Sequence, residues 1–231
     1  MDDAAQQNSP GKPARKGAAR PPRRAERAEA SASKSEQTRA RILDAAAFVF
    51  ARKGYSEARL SDIARTARMQ TGSLYYHFAS REELVAEVMR VGVEQVHRAV
   101  RERMETIPEG TPEIERLRLL LECHLLTLID QNDYTRAISR LLGQAPPRLQ
   151  LQHSANGRQF MALWRGLLRE GQASGVLRSD VDMSAIRMLL LGAMSWSIVW
   201  FKPENGPAEL VARDFARMAV DGLRARPAAE G

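Results

Sequence analysis

Gln70, Thr71, Ser73, Tyr75, Tyr76 and His77 fall within eight consecutive residues in which Leu74 is the one aliphatic side chain. Wound into a helix, Leu74 and Phe78 share one side, and the amide, hydroxyl and phenol groups project from the other. A polar, aromatic, uncharged outer face is unusual for a surface that only meets water. It has the chemistry of a major-groove reader: Gln pairs bidentately with adenine, Ser and Thr donate or accept, and Tyr reaches a phosphate or a thymine methyl. Gly72 lets backbone approach a partner closely, at a cost of about 1 kcal/mol in helix propensity. Groups for covalent or metal chemistry are not assembled anywhere. The chain has no phosphate-cradling glycine loop, no zinc-ligand spacing and no nucleophile elbow. Cys123 and His124 are adjacent and therefore point to different faces, which argues against a metal pair or a nucleophile–base pair. No catalytic residue, metal ligand or cofactor is expected, and an enzyme is disfavoured.

A helix this short cannot bury a face alone. Ile63 and Ala64 predict a second short helix over 60–67, and Ile42, Ala46, Val49 and Phe50 predict a longer one before it, ended by Gly54 as a left-handed cap. Together with 71–78 these make a three-helix unit. Ser80 and Glu83 form a capping box that starts a long helix through Leu84, Val88, Val91 and Val96. Glu109-Gly110 breaks it, and Thr111-Pro112 reads as a cap followed by proline at the first helical position. Further stripes are Leu117, Leu120, Leu121, His124, Leu125 and Leu128; then Tyr134, Ala137, Ile138 and Leu141, stopped by Gly143 and Pro146-Pro147; then Phe160, Leu163, Trp164 and Leu167, ended near Gly171. The last helices are predicted at 182–201 and 207–223. No β-alternation appears, so the expected fold is all-α: an N-terminal helix-turn-helix unit and a C-terminal helical bundle.

The bulk properties agree. The 231 residues are 44% hydrophobic and 27% charged, with a formal net charge of +7. Residues 1–34 hold eight of the cations against four acids and almost no large apolar side chains, so they read as a disordered basic tail able to add sequence-blind phosphate attraction or solubility. The expected division is thus tail 1–34, helix-turn-helix 35–80, and sensing and dimerisation domain 81–231. The single cysteine excludes an intrachain disulfide. The basic N-terminus is not followed by an apolar core, so it does not read as a secretory signal. The uncharged stretch 188–201 is shorter than the roughly 20 residues of a membrane span. A soluble cytoplasmic protein is expected, with no membrane partner.

Thr38-Arg-x-x-Ile42-Leu43-x-Ala45-Ala46, Phe50-x-x-x-Gly54-Tyr55, Asp62-Ile63-Ala64, and Gly72-Ser73-Leu74-Tyr75-Tyr76-His77-Phe78 followed by Leu84 resemble the N-terminal domain of the TetR family of transcriptional regulators over roughly residues 36–90. The resemblance implies a homodimer whose two recognition helices enter successive major grooves of a palindromic double-stranded operator, with half-sites one or more turns of about 34–36 Å apart. It implies Gln70, Thr71 and Ser73 as base readers. It also implies Thr38, Tyr75, Tyr76, His77 and Arg81 as phosphate or backbone contacts, with Tyr75 divided between contact and packing. Ser61 is a further DNA-contact candidate, and Arg59, outside the family pattern, is read as a direct phosphate ligand in place of the lost cap. Two positions depart from the family pattern. Ala58-Arg59 replaces the usual hydroxyl residues before the second helix, a cap worth about 1 kcal/mol. Arg68 replaces a turn glycine, and in a left-handed conformation it costs on the order of 1–2 kcal/mol. Both changes add positive charge beside the expected DNA surface.

The C-terminal half resembles, less specifically, a subgroup of regulators responsive to acyl-CoA in catabolism of fatty acids, aromatic acids or steroid rings. The residues carrying this are Trp164-Arg165, Glu170-Gly171-x-x-x-Gly175-x-Leu177 and Trp196-x-x-x-Trp200-Phe201-Lys202-Pro203-x-x-Gly206-Pro207. His124, Arg140, Met161, Trp164 and Met194 are the candidate ligand contacts, although Met and Trp at helical spacing are more often core. Arg136, Arg140, Arg148, Arg158 and Arg165 offer cations for CoA phosphates, although each also suits a solvated helix face. The penultimate helix is apolar nearly all round, which suits a dimer surface. A drug-responsive efflux repressor, or a ligand-independent nucleoid or scaffold protein with the same DNA head, remains compatible with the same residues.

Overall fold

The computed structural model describes residues 24–130, 132–142, 144 and 155–225. The tail residues 1–23, the helix stops Gly143 and Pro146-Pro147, and Arg148 lie outside the described residues. Of the described residues, those up to Thr38 belong to one compact unit and those from Arg39 onward to another. In the first, residues 24–34 were expected to lack regular structure but are helical, part of α1 (Arg24–Glu57). Ala25, Glu26, Arg27, Ala28, Glu29 and Ala30 are strong helix formers, and elongation from an existing helix avoids the cost of nucleation. Thr38 Oγ1 donates to the Lys34 carbonyl at 2.9 Å, within this helix.

The second unit begins within α1 and continues through α2 (Leu60–Thr66), α3 (Thr71–His77), α4 (Arg81–Thr106), α5 (Glu113–Ile129), α6 (Asp133–Leu142), α7 (Ala155–Ala173), α8 (Met183–Trp200) and α9 (Ala208–Leu223). Among the described residues there is no strand; Leu177 and Arg224 form one isolated antiparallel bridge. Gly54 interrupts α1 with a positive φ of 70°, but its ψ of −169° is not the left-handed helical cap expected, and α1 continues to Glu57. Ser80 caps α4 by accepting from the Glu83 N–H at 3.0 Å, and Glu83 reaches back to the Ala79 N–H at 2.7 Å. The restart before α5 differs from expectation by one residue. Pro112 is the cap and Glu113 the first helical residue, because the Thr111 hydroxyl donates backward to the Pro108 carbonyl at 2.7 Å.

Two apolar cores form, and α4 belongs to both. The first gathers Ile42, Ala46 and Phe50 of α1, Ile63 and Ala64 of α2, Leu74 of α3 and Phe78 around Leu84, Val88 and Met89 of α4, closed by Ala137, Ile138 and Leu141 of α6. The second gathers Val96 and Val100 of α4 with the buried faces of α5, α7, α8 and α9. Polar links join α6 to α1 beside the first core: Arg52 to Asp133 at 2.8 Å, Tyr134 Oη donating to Asp44 at 2.9 Å, and the Tyr55 N–H donating to Gln144 Oε1 at 2.8 Å.

The crossing of α4 and α6 is close enough to require glycine. A Cβ at Gly92 would lie 2.6 Å from Ile138 Cδ1 and 3.4 Å from Tyr134 Cβ. Gly92→Val is therefore expected to destabilise the chain by about 1–3 kcal/mol through overpacking, read as a lower urea midpoint at unchanged slope.

Candidate nucleic-acid interface and effector cavity

Two seven-residue helices, α2 and α3, are held by what they bury. Ile63, Ala64, Ala67, Leu74 and Phe78 are all almost fully inaccessible. The turn between them passes through Arg68 at φ 56°, the one described non-glycine residue with positive φ. The missing hydroxyl cap on α2 is replaced from inside the helix: the Asp62 carboxylate accepts from the Arg59 N–H at 3.4 Å. The same carboxylate accepts from Lys53 Nζ at 2.7 Å and from the Arg65 guanidinium. The hydrogen bond from Lys53 is the main reason its pKa lies below the ordinary value. Asp62 thus ties α1 to α2.

Phe78 and the end of α3 are secured by a residue that sequence reasoning did not single out. Arg39 Nη1 donates to the His77 carbonyl at 2.7 Å, its guanidinium lies 4.1 Å from the centre of the Phe78 ring, and Glu87 sits 3.6 Å away. Its place beside Thr38 in the first motif was the available signal. Gln70, Thr71, Ser73, Tyr75 and Tyr76 are exposed, Tyr76 by 85%. None of their side-chain polar groups makes a hydrogen bond among the described residues. His77 is half-buried and meets Tyr76 edge-on at 5.3 Å. Arg59, Ser61 and Arg68 are exposed on the same pair of helices. Arg81 differs in kind: its guanidinium stacks 4.3 Å over Tyr55, with Nε and Nη2 buried and unpartnered.

In the C-terminal half, α4, α7 and α8 line an open cavity of about 1180 Å³. Met89, Val93, Phe160, Met161 and Leu191 give it an apolar lining, and Arg90, Arg158, Arg165 and Arg187 border it. Met89 also belongs to the first core, so the cavity wall and the core behind α3 share a side chain. Arg165 and Arg187 border a second depression as well, of about 460 Å³, together with Arg169. The ligand candidates separate on this geometry. Met161 lines the cavity. His124, Trp164 and Met194 are buried in the second core, and Arg140, with Arg136, borders a different depression near α1.

Behind the cavity wall, four rings pack together. His97, which does line the cavity, stacks on Phe160 at 3.9 Å, and His124 lies edge-on to Phe160 at 5.3 Å and 5.6 Å from Trp164. His97 Nδ1, His124 Nδ1 and Trp164 Nε1 are buried with no partner among the described residues, a cost of about 1–3 kcal/mol each. Desolvation pulls the pKa of His97 down to about 4 and that of His124 to about 3, and the neighbouring His97 adds to the second shift.

The pattern of the tetR family of bacterial regulatory proteins matches residues 42–88, and that of the tetracyclin repressor-like C-terminal domain matches residues 110–223. The HTH-type transcriptional repressor KstR2 of Mycolicibacterium smegmatis is 28% identical over 200 residues, covering 83% of this chain and 93% of that protein. The crystal structure of the TetR family regulator PfmR from Thermus thermophilus superposes with a TM-score of 0.64 at 27% identity, over 82% of this chain and 97% of that one. The structure of AibR in complex with isovaleryl coenzyme A and operator DNA shares the fold, with a TM-score of 0.64 at 22% identity over 81% and 98% of the two chains.

The buried histidines set an acid limit. Their folded pKa values are below the ordinary 6.5, so below that pH the unfolded chain binds protons that the folded chain refuses. Stability is expected to fall as pH drops through about 6 toward 4, by about 2 kcal/mol per histidine at pH 5. His124→Leu should show a smaller drop in thermal midpoint between pH 7.5 and 5 than the wild type; an equal drop would place the acid sensitivity elsewhere.

Proposed function

We propose that this chain, which belongs to the tetR family of bacterial regulatory proteins, is a homodimeric repressor that grips a palindromic operator with α3 and releases it when an amphipathic anion fills the cavity between α4, α7 and α8. Membership makes it a DNA-binding transcriptional regulator. The observation that carries the operator reading is the uncommitted face of α3, whose polar groups are exposed and unbonded while Leu74 anchors the helix from behind. In this reading Gln70, Thr71 and Ser73 contact bases. Thr38, Arg59, Ser61, Tyr75, Tyr76, His77 and Arg81 contact the phosphate backbone, with Arg68 joining them. Residues 35–80 form the DNA-binding domain and 81–231 the sensing and dimerisation domain, acting in the cytoplasm where the chromosome is.

The dimer is supported by α8 and α9. Met188, Leu189, Trp196, Val199 and Trp200 of α8 and Leu210 and Met218 of α9 are large apolar side chains left in water by the single chain, with Leu189 and Met218 each 68% exposed. By length and composition α8 is apolar enough to cross a membrane. A four-helix contact with the same face of a second copy removes that surface from water and closes on itself.

The effector reading is an acyl thioester of coenzyme A. Its support is the sharing of Arg165 and Arg187 between an apolar cavity and a cationic depression, which matches an acyl body followed by phosphates. AibR, with the same fold, is a complex with isovaleryl coenzyme A. Arg187 Nε is buried without a partner, so an anion there satisfies a group that otherwise costs free energy.

Two outcomes are expected. Arg59→Ala and Arg68→Gly should each lower the salt slope of operator binding by about one unit, and Arg68→Gly should also raise the thermal midpoint by about 2–4 °C through relief of backbone strain; slopes equal to wild type would remove both arginines from the interface. A panel of acyl-CoA esters should contain at least one that weakens operator binding by about 5–150-fold, with the response lost in Arg165→Ala/Arg187→Ala while effector-free operator binding persists. No response to any ester, in thermal shift or operator binding, rules out the effector assignment.

A further inference from the structure

Arg136 and Arg140 lie one turn apart on α6, exposed, and with Lys202 just beyond α8 they border a depression of about 360 Å³. Its floor includes Ala51 of α1 and Ile129 at the end of α5, and Ser139 stands between the two arginines along the helix. It shares no lining residue with the effector cavity. None of the three cations has a carboxylate within 4.0 Å among the described residues, whereas Arg39, Arg52, Arg90, Arg101, Arg118 and Arg178 each do. Among the described residues no carboxylate borders the depression.

Like charges four residues apart on a helix repel, and a third cation from a facing element adds to the repulsion. A bound anion adds an attraction to each of the three cations that offsets this repulsion. Two guanidiniums present paired N–H donors suited to phosphate oxygens, an ammonium adds a point charge, and the Ser139 hydroxyl has no partner among the described residues. The volume admits one or two phosphoryl groups but not a whole coenzyme. The site also spans elements that matter for signalling, since α6 holds α1 through Asp133 and Tyr134 on one flank and presents Arg136 and Arg140 to α5 and α8 on another.

We propose that this depression is a second ligand site, separate from the effector cavity, that takes a free phosphate-type anion and by doing so braces α6 against α5 and α8. Phosphate of this kind has two sources, a small phosphorylated molecule and the duplex backbone; the proposal commits to the first, because the site lies at the junction of α1, α5, α6 and α8 and includes no residue of α2 or α3.

The test uses full-length protein in phosphate-free buffer, titrated with inorganic phosphate and with pyrophosphate against sodium chloride at matched ionic strength. Pyrophosphate at tenfold over its Kd should raise the thermal midpoint by about 3–5 °C, saturably. Arg136→Ala/Arg140→Ala and Arg136→Gln/Arg140→Gln should both lose the rise. The change sites are exposed, so both double variants are expected to fold, and their circular dichroism and anion-free midpoints check this. A rise equal to that in matched chloride, or one that persists in the double variants, overturns the proposal. So does a drop of about two units in the salt slope of operator binding in the double variants without added phosphate, because the arginines then belong to the duplex.

Discussion

A seven-residue helix has no stability of its own in water, since nucleation costs more than one or two turns return. Everything that α3 does therefore depends on the burial of Leu74 and Phe78 against α1 and α4, worth about 1.5–3 kcal/mol for each side chain. That burial leaves the opposite face free to carry groups chosen for what they bind. The polar supports follow the same logic: Asp62 ties α2 to Lys53, and Arg39 holds the last carbonyl of α3 while covering Phe78. The exposed face of α3 is held in place because its back is packed, not because its own sequence favours helix.

The same packing connects the reading surface to the cavity. Val88 and Met89 of α4 sit in the core behind α3, and Met89, Val93 and His97 follow along α4 into the cavity wall. The cavity wall and the core behind α3 are thus borne by one helix. The α6 helix is held from the other side, close to α4 at Gly92 and linked to α1 by Arg52–Asp133 and Tyr134–Asp44. Close-packed elements respond as units rather than by local give, which is the physical basis for coupling between sites.

The core behind the cavity is less economical. Three ring nitrogens without partners, on His97, His124 and Trp164, sit among hydrocarbon where leucines would cost nothing. They are held by ring stacking around Phe160. Their energetic cost is concentrated beside the cavity wall.

The order of helices, the outward set on α3 and the Ser80 cap were legible in the residues, because each follows from neighbours within one or two turns; the left-handed turn at Arg68 was expected only through the family resemblance. Helical period says which side chains share a face, and Gly, Pro and capping residues say where the face ends. The period cannot say which faces meet. Arg136, Arg140, Arg158 and Arg165 read alike as helix-surface cations; only the tertiary structure separates the pair beside α1 and α8 from the pair on the cavity. Likewise His124 reads as a cavity candidate from its stripe, yet the packing of α7 puts His97 there and seals His124 behind it. Contacts between residues far apart in the chain are settled by how whole surfaces fit, and that fit is a property of the assembled helices rather than of any one segment.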